Sequence, residues 1–209
     1  PAAREHADLV EFRMDLADDP LTQLSEYDGE LSLLVTNRPE WEGGEADEAG
    51  RLAALEAAVT DDAVAAVDVE LASAREGDAD ALIETAREHE VSVIVSSHDF
   101  EATPSMGDLQ ETLRAACEYG DVGKLAVTAG APDDVLDLLV ATRAATVEGN
   151  TVATMAMGEA GRHSRAVAPL YGSRIGYAPV DPDAATAPGQ YDLATLADLV
   201  AELGGRRHD

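Results

Sequence analysis

The chain has one cysteine, Cys117, one tryptophan, two phenylalanines and one lysine, Lys124, among 209 residues. A lone cysteine excludes an internal disulfide framework and fits a reducing, cytoplasmic setting. Aromatics amount to 4%, which leaves the core to valine, leucine, isoleucine and alanine. No apolar run approaches the roughly 18 residues that a membrane span requires. Cations are scarce as well: 14 basic against 42 acidic residues give a net charge of −28. So acidic a chain repels phosphate backbones and anionic headgroups, which excludes nucleic acid and membrane surfaces as partners. Hydrophobic content of 45% is that of a folded protein, and the length suits one domain over 1–209.

Arginine supplies all the basic residues but Lys124. Carboxylate-rich, lysine-poor chains of this kind are typical of salt-loving organisms, so most acidic side chains are expected to face solvent. A lysine kept alone in such a composition is a candidate for chemistry.

Apolar, β-branched runs of strand length cover residues 8–14, 31–36, 66–71, 91–97, 121–127, 151–157 and 173–178. Segments with helical spacing lie between them. Residues 47–60 carry Leu52, Leu55 and Val59 on one face, and 78–89 open with an aspartate cap ahead of Leu82, Ile83 and Ala86. A helix from Ser105 through Leu109, Leu113 and Cys117 ends at Gly120, and Pro132 opens another. Residues 192–203 form a closing helix, and 204–209 a frayed tail. Strand and helix alternate with no Gly-rich phosphate loop after the first strand, which favours a parallel (β/α)8 TIM barrel over a doubly wound sheet. Seven strands are counted. Pro1-Ala2-Ala3-Arg4-Glu5-His6 reads as the tail of a helix, so a first strand and its helix are expected upstream.

Polar side chains inside apolar strands mark a barrel site, because inward residues converge at the C-terminal strand ends. Glu11 and Arg13 share one face of Val10-Glu11-Phe12-Arg13-Met14 and read either as a structural ion pair or as ligand contacts. Arg38 and Glu42 follow the next strand, where Gly43 and Gly44 allow a sharp turn. His98 directly follows a buried strand and reads either as a packed histidine or as one facing the mouth. His163 is a weaker rival in a Gly-punctuated loop. Lys124 lies mid-strand beside Ala126 on one face, with Leu125 and Val127 on the other. Free lysine is protonated at neutral pH; burial favours the neutral amine that attacks carbonyls. The alternative is a salt bridge to Glu11. Arg165 or Arg162 offers a bidentate fork for a carboxylate. Thr186 through Gln190 form a loop able to fold over a ligand, and Met155 and Met157 read as barrel lining.

Seven motifs fall in one order: Val10-Glu11-Phe12-Arg13-Met14-Asp15, Arg38 with Glu42-Gly43-Gly44, Ser97-His98-Asp99-Phe100, Gly123-Lys124-Leu125-Ala126-Val127, Met157-Gly158 with Ser164-Arg165, Gly172-Ser173, and Ala187-Pro188-Gly189-Gln190. Each alone is weak; together they are specific, and in them the chain resembles the type I 3-dehydroquinate dehydratases. The resemblance implies a hydro-lyase of the shikimate pathway of aromatic amino-acid biosynthesis, turning 3-dehydroquinate into 3-dehydroshikimate and water. In that family's pattern Lys124 forms an imine with the substrate ketone, and His98 moves the proton and helps water leave. Glu42 then orients and polarises His98, and Arg165 holds the substrate carboxylate. Glu11, Arg13, Arg38, Thr186 and Gln190 contact hydroxyls or neighbouring side chains. The resemblance also implies no metal, no organic cofactor, and a homodimer. Two departures are visible: Thr186 stands where the family commonly has serine, and the family's first strand has no counterpart here.

Two other readings compete. A class I aldolase shares the lysine imine but not the Arg38, Glu42, His98 and Gln190 set. A non-catalytic barrel binding domain would hold the ligand without turnover.

Overall fold

The structure is a computed structural model that describes residues 2–184, 187 and 189–204. Its contacts divide the chain into two compact units. The first comprises Ala7–Ser97 and Tyr119–Asp121, and the second comprises the rest.

The first unit runs β1 (Val10–Arg13), α1 (Pro20–Ser25), β2 (Leu33–Thr36), α2 (Arg51–Ala58), β3 (Val64–Glu70), α3 (Leu71–Glu76), α4 (Asp80–Glu88) and β4 (Ser92–Asp99), whose last two residues belong to the second unit. Each strand pairs in parallel with the next, with Glu11 opposite Leu34, Val35 opposite Val67 and Asp68 opposite Ile94. Runs such as Leu33-Leu34-Val35 and Val93-Ile94-Val95 are buried on both faces, as a parallel sheet covered by helices demands. Asp19 caps α1 by accepting from the Thr22 N–H, with Pro20 at the first helical position.

The expected aspartate cap at 78 is not what starts α4. β3 runs straight into α3, which buries Leu71 and Ala74, and the left-handed Gly77 ends it. α4 then follows Ala79 with no side-chain cap. Hydrophobic burial directly after the strand thus overrides the local cap signal. Residues 47–60 contract to α2, and α1 and α3 are helices that the periodicity did not announce.

The second unit adds α5 (Met106–Tyr119), whose last residue belongs to the first unit, β5 (Val122–Thr128), α6 (Pro132–Val147), β6 (Val152–Met157), α7 (Gly158–Gly161), α8 (Ser164–Tyr171) and α9 (Leu193–Glu202). β5 and β6 are parallel, with Lys124 opposite Ala153 and Ala126 opposite Met155. Leu125 and Val127 pack into a core with Leu109, Leu113, Val135 and Leu138. Ala126, Met155 and Met157 gather on the other side with Tyr177. Period-two alternation therefore sorts the β5 side chains as expected.

Six strands are present among the described residues, not seven. Of residues 173–178 only Ser173 bridges Val152, and Arg174 N–H donates to the Val152 carbonyl at 2.8 Å. Gly176 offers nothing to pack and Pro179 has no N–H, so the ladder stops there. The structure is thus a parallel α/β fold of six strands with intervening helices. No helix among the described residues is long and apolar enough to cross a membrane. Of the expected tail, residues 205–209 lie outside the described residues.

Candidate active site

In the first unit the polar strand residues form a buried charge network. Arg38, 4% exposed, lies just beyond the end of β2 and aims its guanidinium at β3. Its Nη2 donates to Asp68 Oδ1 at 2.6 Å, and its Nη1 donates to Glu70 Oε1 at 2.7 Å and Ser96 Oγ at 2.8 Å. Ser96 in turn donates to Asp68 at 2.6 Å. Arg51, the first residue of α2, donates to the other oxygen of Glu70 at 2.6 Å, to Ser73 at 2.7 Å and to Glu48 at 3.0 Å. Two guanidiniums face two carboxylates that are 0% exposed, so the desolvated charges are matched. Burial opposes the Arg38 charge, but Asp68, Glu70 and Glu42 outweigh it and raise its pKa.

Glu11 and Arg13 do not pair with each other as their strongest partners. Glu11 accepts from the Thr36 hydroxyl at 2.8 Å, while Arg13 forms a two-point pair with Asp15, its Nε lying 2.8 Å from Oδ1. Asp15 also accepts from the Glu45 N–H at 3.2 Å. Burial opposes the Asp15 charge, yet these donors hold its carboxyl below the ordinary aspartate range. Glu42 is buried at the end of a short 3₁₀ turn, and Gly43 leaves that turn in the left-handed region at φ 79°. The sharp turn expected of the two glycines is real. A Cβ on Gly44 would lie 2.0 Å from the Arg38 carbonyl oxygen, so only glycine fits.

In the second unit Lys124 is 5% exposed on β5, and its ammonium lies 4.5 Å from the centroid of the Tyr177 ring. It shares its strand face with Ala126, in register with Met155 and Met157 on β6. The sole lysine is thus held on an apolar surface with an aromatic ring beneath it. His98, half-buried at the end of β4, stacks on Phe100 with ring planes 8° apart. The segment after it is tied to the end of β5, because Thr128 donates from its N–H to Ala102 O and from its hydroxyl to Asp99 O.

Arg165 is buried in the first turn of α8, and desolvation lowers its pKa. Ser164 beside it accepts from the Ala156 N–H at 2.8 Å, which seats the helix start on β6. Arg162 lies over the Tyr191 ring at 4.4 Å, and Gln190 accepts from the Ala187 N–H. His163, the rival histidine, is exposed. Thr186 lies outside the described residues.

Of the expected residues, Lys124, His98, Arg165 and Gln190 fall in the second unit, and Glu11, Arg13, Arg38 and Glu42 in the first. Sequence reading quoted Asp15 in its first motif without a role, and it missed Arg51, Asp68, Glu70, Ser96 and Tyr177. Asp68 and Glu70 were findable. They alternate with Val67 and Val69 inside a buried strand, the same pattern that singled out Glu11 and Arg13.

Parallel strands joined by helices define the chain as a protein of the α/β class. The family profile of type I 3-dehydroquinase matches residues 1–206. The chain is 63% identical over 207 residues to the 3-dehydroquinate dehydratase of Haloarcula marismortui, covering 97% of this chain and 90% of that one. It is 52% identical over 208 residues to that of Halobacterium salinarum, covering 97% and 92%. The crystal structure of the Geobacillus kaustophilus 3-dehydroquinate dehydratase matches with a TM-score of 0.87 at 32% identity, over 99% of this chain and 84% of that one. That of the Clostridium difficile type I enzyme, with covalent modified comenic acid, matches at 0.85 and 28% identity, over 94% and 81%. The chain belongs to the type I 3-dehydroquinase family, and it is an enzyme of the dehydratase, or hydro-lyase, class. The aldolase reading is set aside by that membership.

Proposed function

We propose that this chain converts 3-dehydroquinate to 3-dehydroshikimate and water through an imine on Lys124. The observation that carries the reading is the burial of the only lysine on the apolar face of β5, over Tyr177. There the neutral amine attacks the ring ketone, and loss of one water with uptake of one proton from solvent leaves the protonated imine. His98 takes the proton from the adjacent carbon, and the electron pair moves toward the imine nitrogen. The enamine then expels the β-hydroxyl, which leaves as water with a proton from His98. A further water hydrolyses the product imine and frees Lys124.

Arg165 takes the substrate carboxylate, since an anion beside a guanidinium disfavoured by burial stabilises it. Glu42, Glu11, Arg13, Arg38, Gln190 and Thr186 are assigned to the same reaction through the family's motifs. Amine and imidazole carry the chemistry with neither metal nor organic cofactor. The working form is a cytoplasmic homodimer, which light scattering checks. Covalently modified comenic acid in the Clostridium difficile relative supports covalent capture of a ligand in this family.

Borohydride reduction in the presence of 3-dehydroquinate, in molar KCl, tests the reading. Peptide mass spectrometry is expected to find the reduced ligand on Lys124. A folded, active enzyme with no adduct there would sink the imine.

A further inference from the structure

We infer that Glu70 is a positioning residue whose two carboxylate oxygens clamp both ends of the loop that carries Glu42; the assignment rests on the dehydratase reading above. The loop leaves β2 at Asn37 and ends where α2 begins at Arg51. Arg38, at its start, donates to Glu70 Oε1 at 2.7 Å, and Arg51, at its end, donates to Oε2 at 2.6 Å. Asn37 closes the same neck by donating from its side-chain amide to the Arg51 carbonyl at 3.1 Å. Glu70 itself is the last residue of β3, where pairing with Ser96 of β4 fixes its backbone.

Between the clamped ends the loop is built tightly enough to transmit a displacement. The Pro39 carbonyl accepts from the N–H groups of Glu42 and Gly44, and the Arg38 carbonyl accepts from Ala46. The close approach of Gly44 to Arg38 leaves no slack between them. A shift of Arg38 therefore carries Glu42 with it. Glu48 extends the same chain of contacts. It accepts from Arg51 at 3.0 Å through one oxygen and from the Trp41 indole at 2.9 Å through the other. Trp41, the only tryptophan, thus stands next to Glu42 as a reporter on the loop.

Replacing Glu70 by glutamine keeps its shape but turns one acceptor into an NH₂ donor. Facing two guanidiniums, that group meets a donor with a donor, and one end of the loop is released. A displacement of about 1 Å costs about a hundredfold where a catalytic group must be held in place. Glu70→Gln is therefore expected to lower kcat about a hundredfold, with KM for 3-dehydroquinate changed less than about threefold. Because Glu70 acts through Glu42, the loss should vanish in a Glu42→Gln background, where the double variant is no slower than Glu42→Gln alone. Trp41 should report the release without any turnover, through stronger acrylamide quenching and lower anisotropy in Glu70→Gln than in the parent.

Arg51→Lys, which keeps the charge but one donor at most toward Glu70, provides a milder second variant with the same signs, should Glu70→Gln fail to fold. Losses that multiply with Glu42→Gln, or an unchanged Trp41 signal in a folded Glu70→Gln or Arg51→Lys protein, would overturn the clamp. Failure of the parent enzyme to dehydrate 3-dehydroquinate would refute the dehydratase reading instead, and the Trp41 measurement would still decide whether the clamp exists.

Discussion

Gly161→Ala should destabilise the protein by overpacking, at a cost readable from the geometry. Gly161 is the last residue of α7 and is buried against β6. A Cβ there would lie 2.6 Å from the carbonyl carbon and oxygen of Ala156 and 2.7 Å from its Cβ. Ordinary contact begins near 3.4 Å, so the methyl is about 0.8 Å too close to backbone that cannot rotate away. Ala156 cannot yield, because it is fully buried in the core with Leu125, Val127 and Val152. Inserted methyl groups in packed cores cost about 1–3 kcal/mol. Alanine returns about 0.4–1 kcal/mol by restricting the unfolded chain, leaving a net loss of about 1–2 kcal/mol.

For a chain of this length that loss corresponds to a Tm lower by about 2–8 °C, measured by circular dichroism in molar KCl. The displaced α7 leads into Arg162, whose carbonyl accepts from the Arg165 N–H at 3.3 Å, so KM for 3-dehydroquinate should rise as well. Gly107→Ala is the control. It lies in α5, where the nearest atom to a new Cβ is Ser105 Oγ at 3.9 Å, and helix propensity predicts a gain of up to about 1 kcal/mol. Equal or higher Tm in Gly161→Ala would refute the close-approach argument.

Leu138, fully buried in the core of the second unit, should cost about 2–5 kcal/mol when cut to alanine, read as a lower urea midpoint at unchanged slope. Asp15 has a carboxyl held below its ordinary range, so the folded state binds fewer protons than the unfolded one. Its contribution is complete above about pH 4 and disappears as pH falls through the folded value. Urea midpoints from pH 6 to 3 should therefore fall less steeply in Asp15→Asn than in the parent; parallel curves would contradict the assignment. At a net charge of −28 the folded state repels itself, so the unfolding midpoint should rise from dilute buffer to molar KCl. A midpoint that falls would show that self-repulsion does not limit stability.

Residues 121–127 show why so much of the second unit was legible in advance. Polar and small residues alternate there with large apolar ones, and a strand has no choice but to put Lys124 and Ala126 on one side and Leu125 and Val127 on the other. The parallel α/β class followed from the same local rule applied to buried β-branched runs separated by helical spacing. The motif order around Glu42, His98, Lys124 and Arg165 carried the family. Residues 173–178 misled because apolar residues such as Ile175 and Tyr177 promise a strand only where a neighbour offers a ladder, and among the described residues the pairing ends at Arg174.

Composition, periodicity and motif order, all properties of neighbouring residues, determined the acidic α/β enzyme, its lone lysine and its family. What partners a charge was decided only by the fold. Glu11 turned to Thr36 and Arg13 to Asp15, while Arg38 and Arg51 converged on Glu70 across 32 and 19 residues of sequence. Local propensity places a charged side chain on a face. Desolvation then drives it to an opposite charge or a hydrogen-bond donor, and for Glu11, Arg38 and Arg51 the partner depends on how strands that are far apart in the chain are aligned.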